Sequence, residues 1–332
     1  MIPDWWRRLR ASRLGLVALS VVIGATGCNT TPAGGLTGAG QDGAAGAGGS
    51  GGNSAGATPA VAASLLEQLS LERINRARLR PAQEAAADGI AVDEGIPGQL
   101  NTTPKPAVAM NATLRRAAKQ HSDDMLNRNY FEHDTPEGVS PFDRMLDAGF
   151  AFIVAGENLS WRGTTGTLDP VETIETQHND LFIDTGIAGR GHRVTMLNPQ
   201  FREVGISIVR GSFTRSTDGL TFTDSIMQTQ DYGTNPSDNP FILGVVYDDA
   251  NGNGQYDHGE GVAGATVSLD DAVTSTNQAG GYSFEVMRAG AYTLRFASGA
   301  TQALTIRFAD PNLKVDLVDG SRIVVNLGLG PL

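Results

Sequence analysis

Apolar positions between residues 60 and 233 recur mostly at helical spacing. Leu65, Leu66, Leu69, Ile74 and Ala77 share one face and predict a helix ending near Pro81. Residues 82–108, rich in Ala, Gly and Pro, read as irregular. A second helix is predicted after Asn111, a natural N-cap, with Leu114, Ala117, Ala118 and Met125 on its apolar face and His121 beside them. Ser140-Pro141 reads as N-cap and N1 of a third helix through Leu146, and Asp169-Pro170 opens a fourth to about Phe182. Two alternating stretches, 204–209 and 222–230, predict strands. Helices flanking a small sheet define an α+β domain over 60–233. A polar linker, 234–240, comes next. Short strands at 242–247, 266–269, 282–286, 292–296, 303–308 and 323–327 then predict an all-β sandwich over 241–332.

The N-terminus obeys a different rule. Arg7, Arg8, Arg10 and Arg13 precede an apolar run, Leu14 to Gly24, too short to span a bilayer and proportioned like a signal-peptide core. The run ends at Ala25-Thr26-Gly27-Cys28, and Cys28 is the only cysteine in the chain. Small residues before a single cysteine resemble a bacterial lipobox. That resemblance implies a lipoprotein signal peptide over 1–27, lipidation of Cys28, and a membrane partner held through acyl chains alone. Residues 28–59, almost entirely small and polar, predict a flexible tether reaching roughly 30 Å. The expected location is the cell envelope, lipid-anchored, or the extracellular space.

Charge narrows the partners. The chain carries −11 and the leader +3, leaving about −14 on the remainder. With no basic patch to offset it, that surface excludes nucleic acid and favours divalent cations. A body without cysteine has no disulfides, so packed cores must supply its stability.

The chain has five histidines: His121, His133, His178, His192 and His258. Val171, Ile174, His178, Leu181 and Phe182 share a helix face, which turns His178 inward. His133 comes just after Tyr130 and Phe131. Glu157 succeeds an apolar run in Gly156-Glu157-Asn158-Leu159, and His192 sits in the bend GRGHRVTML. Buried imidazoles and a buried carboxylate need partners, and they are ordinary zinc ligands. Packed, structural histidines are the alternative for each, His121 above all. There is no HExxH, nucleophile elbow or phosphate loop.

The order of motifs over 61–233 resembles the CAP superfamily (cysteine-rich secretory, antigen 5 and pathogenesis-related proteins; the SCP domain). The resemblance is carried by Leu69–Arg78, Ala117–Met125, Phe131-Glu132-His133, Pro141-Phe142-Asp143-Arg144, Gly156-Glu157-Asn158-Leu159, Gly191-His192-Arg193, Glu203–Ile206 and Gln230-Asp231-Tyr232-Gly233. It implies an α-β-α sandwich whose cleft is lined by two His and two Glu. His133, Glu157 and His192 match three of them; the fourth falls on His178, with Glu175 the rival. The stretch Ile183–Arg190 is longer than the turn many relatives carry there, and would remodel the cleft rim. The likeness implies a cation, with zinc a candidate, and a small-molecule, lipid or protein ligand. A metal-dependent hydrolase acting on peptide or envelope material, with Glu157 as base, is the competing reading.

Residues 249–260 read DANGNGQYDHGE. On an EF-hand loop, Asp249, Asn251, Asn253, Gln255 (through its carbonyl), Asp257 and Glu260 fall at ligand positions, with Gly254 at the turn. This predicts Ca2+ binding, against the plainer reading of an acidic turn; His258 is expected to face solvent. The surrounding block, with Gly280–Phe284 and Gly290–Thr293, resembles the B-repeat-like and carboxypeptidase-regulatory-like domains of bacterial surface proteins. The likeness implies a calcium-stiffened accessory module.

Overall fold

The computed structural model describes residues 15–24, 55–57, 61–307 and 310–326. Cys28, and the tether apart from residues 55–57, lie outside the described residues. An apolar N-terminal segment forms β1 (Gly15–Gly24), and β2 (Ala55–Ala57) is a short strand.

α1 (Leu65–Leu79) starts at a capping box, Ser64 with Glu67, and ends ahead of Pro81 as expected. The stretch expected to be irregular opens instead with α2 (Pro81–Ala87). Proline cannot continue a helix, but it suits the first turn of a new one, so Pro81 both ends α1 and begins α2. β3 (Ala109–Met110) leads into α3 (Ala112–Arg128), whose N-cap Asn111 accepts from the amides of Thr113 and Leu114. α4 (Pro141–Asp147) and α5 (Pro170–Ile183) begin on the predicted caps Ser140 and Asp169. Between them runs β4 (Val154–Thr164), a strand the sequence pattern hides. Nearly all of it is buried on both faces, so it shows no alternation. The expected bend at His192 is the entry to a short helix, α6 (Gly191–Met196), reached through left-handed backbone at Gly189 and Arg190. β5 (Glu203–Thr214) and β6 (Thr221–Thr234) complete the unit.

The sheet runs β1-β4-β6-β5-β3, antiparallel except for β3 on β5. One face carries Leu159, Trp161 and Met227 against Met125 and Leu126 of α3. The other carries Val204, Ile206 and Tyr232 against Ile74 of α1 and Leu181 and Phe182 of α5. This is the expected α-β-α order. Gly205 makes α3's approach possible: a Cβ there would lie 2.1 Å from the backbone of Leu114 and Arg115.

The second unit pairs two sheets. One is β14 (Arg322–Asn326), β13 (Leu313–Val318), β7 (Phe241–Tyr247), β10 (Gly281–Val286) and β2; the other is β12 (Thr301–Ile306), β11 (Gly290–Phe296), β8 (Thr266–Leu269) and β9 (Ala272–Ser275). Strands β9 and β13 are additions to the predicted set. β7 is apolar throughout because both its faces are covered. Ile242 and Val246 point into the sandwich, while Phe241, Leu243, Val245 and Tyr247 pack on the first unit. The two units are therefore joined through a core rather than spaced apart.

Candidate functional site

Three buried histidines each meet a different carboxylate. His133 lies beyond the C-terminus of α3, and its Nδ1 is 2.7 Å from Glu157 Oε1 on β4. Arg144 of α4 clamps both partners, donating to Glu157 Oε2 at 2.7 Å and to the His133 carbonyl at 2.7 Å. Glu157 is fully buried. Burial alone would raise its pKa, but the His133 hydrogen bond and the Arg144 charge bring it down to about 2. Across the sheet, Asp231 pairs in register with Glu157. Its carboxyl oxygens are buried beside the Glu157 carboxylate. Burial, reinforced by the Glu157 charge, pushes Asp231 well above the usual carboxylate range. His121 lies behind this group, its Nε2 3.0 Å from the Glu132 carbonyl, and burial brings it down to about 4.

His192 is approached from the other layer. Asp184, the left-handed C-cap of α5, accepts from the His192 amide at 2.9 Å and lies 2.5 Å from its Nδ1. Asn158, on the face of β4 opposite Glu157, donates to the His192 carbonyl at 3.1 Å. The β4 edge thus runs between the two helical layers that carry His133 and His192. β1 lies along that edge, with Val21 opposite Glu157 and Ser20 opposite Asn158, and packs against α6. The burial of this region is that of a chain with β1 in place.

His178 stands apart. Its Nε2 is 2.8 Å from Glu84 of α2, which Arg76 of α1 also grips. Burial would raise Glu84, yet the His178 and Arg76 hydrogen bonds bring it down to about 2. Glu175 is held by Arg73. The rivals for the fourth cleft position are both engaged away from His133, Glu157 and His192. The carboxylate beside His192 comes from Asp184, within the long stretch 183–190 that stood out in the sequence. Among the described residues, no three His, Asp or Glu side chains are grouped so that they could hold a metal ion. Arg144, Asp184, Glu84 and Asp231 are what the sequence reading missed as site residues. Arg144 and Asp231 stood within the motifs that carry the resemblance, and only their chemistry went unread.

Residues 71–232 match the CAP, cysteine-rich secretory protein, family and residues 242–322 match the SdrD B-like domain. The first unit is a CAP domain and the second an SdrD B-like domain. The uncharacterized protein YkwD of Bacillus subtilis is 34% identical over 100 residues, 30% of this chain and 34% of that protein. The uncharacterized membrane protein YlbC of the same organism is 26% identical over 96 residues, 29% of this chain and 24% of that protein. The chain thus spans about a third or less of the length of these relatives. An extracellular protein containing an SCP domain from Bacillus anthracis aligns at 24% identity and a TM-score of 0.27, over 39% of this chain and 34% of that one. Among the described residues, no helix is long and apolar enough to cross a membrane.

The SdrD B-like domain carries the loop 249–260 against α1 of the CAP domain. Gly254 takes φ +76° at the turn position, a conformation glycine adopts freely. Asp249 Oδ2 accepts from the Gly254 amide at 3.0 Å, while its Oδ1 is buried without a partner. Glu260 folds back over the loop, accepting from the amides of Ala250 and Asp257. The side-chain amides of Asn251 and Asn253 both meet Asp257 Oδ2, at 2.7 and 2.6 Å. The Gln255 side chain points away, to Arg76, and His258 is exposed as expected. Oxygen-rich side chains with a spare buried carboxylate oxygen suit a hard cation.

Proposed function

We propose that this is an exported protein, lipid-anchored through Cys28, whose CAP domain binds a divalent cation and a ligand beside His133 and His192. One observation carries the reading. Both imidazoles turn Nδ1 to a carboxylate, and both leave Nε2 buried with no hydrogen-bond partner. Metal-ligating histidines are held in this way: a carboxylate fixes the tautomer and presents the other nitrogen's lone pair. Zinc is the natural probe, and Glu157 and Asp184 serve as the positioning carboxylates. Cutting before Cys28 removes β1 and opens the β4 edge between the two histidines to a ligand.

The hydrolase reading fares less well on the same geometry. Glu157 has one oxygen on His133 and the other on Arg144, and a carboxylate titrating near 2 is a weak base. The loop Asp249, Asn251, Asn253, Gln255, Asp257 and Glu260 is proposed to hold Ca2+. The fit rests on the orphaned Asp249 Oδ1 and the Gly254 turn.

The chain from residue 58, which keeps both units except their edge strands β1 and β2, tests the cleft. Zinc titrated calorimetrically should bind one equivalent, lost in both His133→Ala and His192→Ala. Undiminished zinc binding in the two variants would overturn the site. Peptide hydrolysis by the wild type that disappears in His192→Ala would favour the enzyme instead. Membrane fractionation of Cys28→Ser tests the anchor: release into the soluble fraction is expected.

A further inference from the structure

The outer wall of the 249–260 loop is gripped by the CAP domain. Arg73 of α1 donates from Nη1 to the Tyr256 carbonyl at 2.8 Å and from Nη2 to Asp257 Oδ1 at 2.7 Å. Its Nε and Nη2 also engage Glu175 of α5, at 2.8 and 2.6 Å. One turn on, Arg76 donates from Nη1 to the Gln255 side-chain oxygen at 3.0 Å while holding Glu84. Three consecutive loop residues are therefore fixed from outside by two arginines of the other domain. Arg73 is only 7% exposed.

We propose that loading of the 249–260 loop with calcium and docking of the two domains are one linked equilibrium, with Arg73 as the coupling residue. The proposal rests on the calcium reading of that loop. The arginines recognise the loop only in its ordered form, since Tyr256 O, Asp257 Oδ1 and the Gln255 side chain must face α1 together. A cation held by the inner oxygens selects that same form. Two binders of one conformation favour each other, and by linkage each raises the other's affinity by the same factor. Glu175, paired side-on with Arg73, offsets the guanidinium charge that would otherwise repel a nearby cation. Arg73 is a positioning residue: it orients Asp257 and does not touch the ion.

Calcium alone is titrated calorimetrically into the full chain, as wild type, Arg73→Gln and Arg73→Lys. Wild-type binding is expected, weakened about fivefold or more in Arg73→Gln. Arg73→Lys keeps the charge but lacks the fork, and should be weakened similarly. A second measurement needs no change at Arg73. A protease site placed in 235–240 is cut after folding, and the two halves should separate at least about fivefold more slowly in calcium than in EGTA. Absence of wild-type binding at millimolar calcium would overturn the calcium reading itself. Binding that is equal or tighter in Arg73→Gln, with halves that separate at the same rate in either buffer, would overturn the linkage and leave the calcium site standing.

Discussion

Replacing Arg144 with Met would test whether Glu157 is held as a charged positioning group. The change removes the 2.7 Å hydrogen bonds to Glu157 Oε2 and the His133 carbonyl and a 3.1 Å bond to the Val139 carbonyl. It leaves a fully buried carboxylate with His133 as its remaining partner. Stripping one partner from a buried ion pair costs about 3–5 kcal/mol. The pKa gives a similar scale: titration near 2 rather than 4.5 corresponds to about 3 kcal/mol favouring the ionised form in the fold. Because the folded pKa is depressed, this stabilisation is present above pH 4.5 and is lost as pH falls toward 2. In the chain from residue 58, Trp161 is the only tryptophan, and it is buried in the layer that carries Glu157. Urea unfolding monitored by its fluorescence should show Arg144→Met losing about 3 kcal/mol at pH 7 and less at pH 3.5. Arg144→Met/Glu157→Gln should recover much of the loss, because the unpaired charge is gone. A loss below about 1 kcal/mol, or single-variant effects that simply add, would refute the reasoning.

Asp231→Asn should stabilise the protein at pH 7 and lose that advantage near pH 3. The folded state raises the Asp231 pKa, so the wild type gives up stability as pH climbs above the unfolded value; equal wild-type and variant stability across that range would be the contrary result. Lys314→Met should cost about 3 kcal/mol at neutral pH by urea unfolding, because Lys314 is buried between Glu72 and Asp316 at the domain joint. Burial raises Glu72, so acid should ease the penalty by neutralising a stranded carboxylate, and a loss unchanged at pH 4.5 would contradict this. Glu260→Ala should abolish any calcium-dependent rise in melting temperature measured by scanning calorimetry, and a persistent rise would refute the ligand assignment.

Local chemistry was largely legible in the chain. Asn111, Ser140 and Asp169 declared their helices because a side-chain oxygen next to free amides is a short-range interaction. Pro81 misled because a proline can stop one helix and start another, and the small residues after it, Ala82 to Ala87, suit a loop as readily as a short helix. β4 escaped because a strand covered on both faces loses alternation. β13 does alternate, but its polar positions, Lys314 and Asp316, are buried: Lys314 pairs with Asp316 and with Glu72 of α1. α1 shows the same effect: Glu72 and Arg73 are buried polar residues that make sense only once a second domain lies against the helix.

The sequence by itself determined the two-unit plan, the cap-to-cap helices, the identity of the buried histidines and the oxygen-rich loop. Each depends on residues a few positions apart. The tertiary structure alone decided which carboxylate each histidine meets. Glu157 lies 24 residues from His133, Glu84 lies 94 from His178, and Asp184 reaches His192 only because a left-handed C-cap turns it back. Composition assigns no partners across such separations. They arise from how the helical layers close on β4, and from the burial that makes an unpaired charge too costly to leave alone.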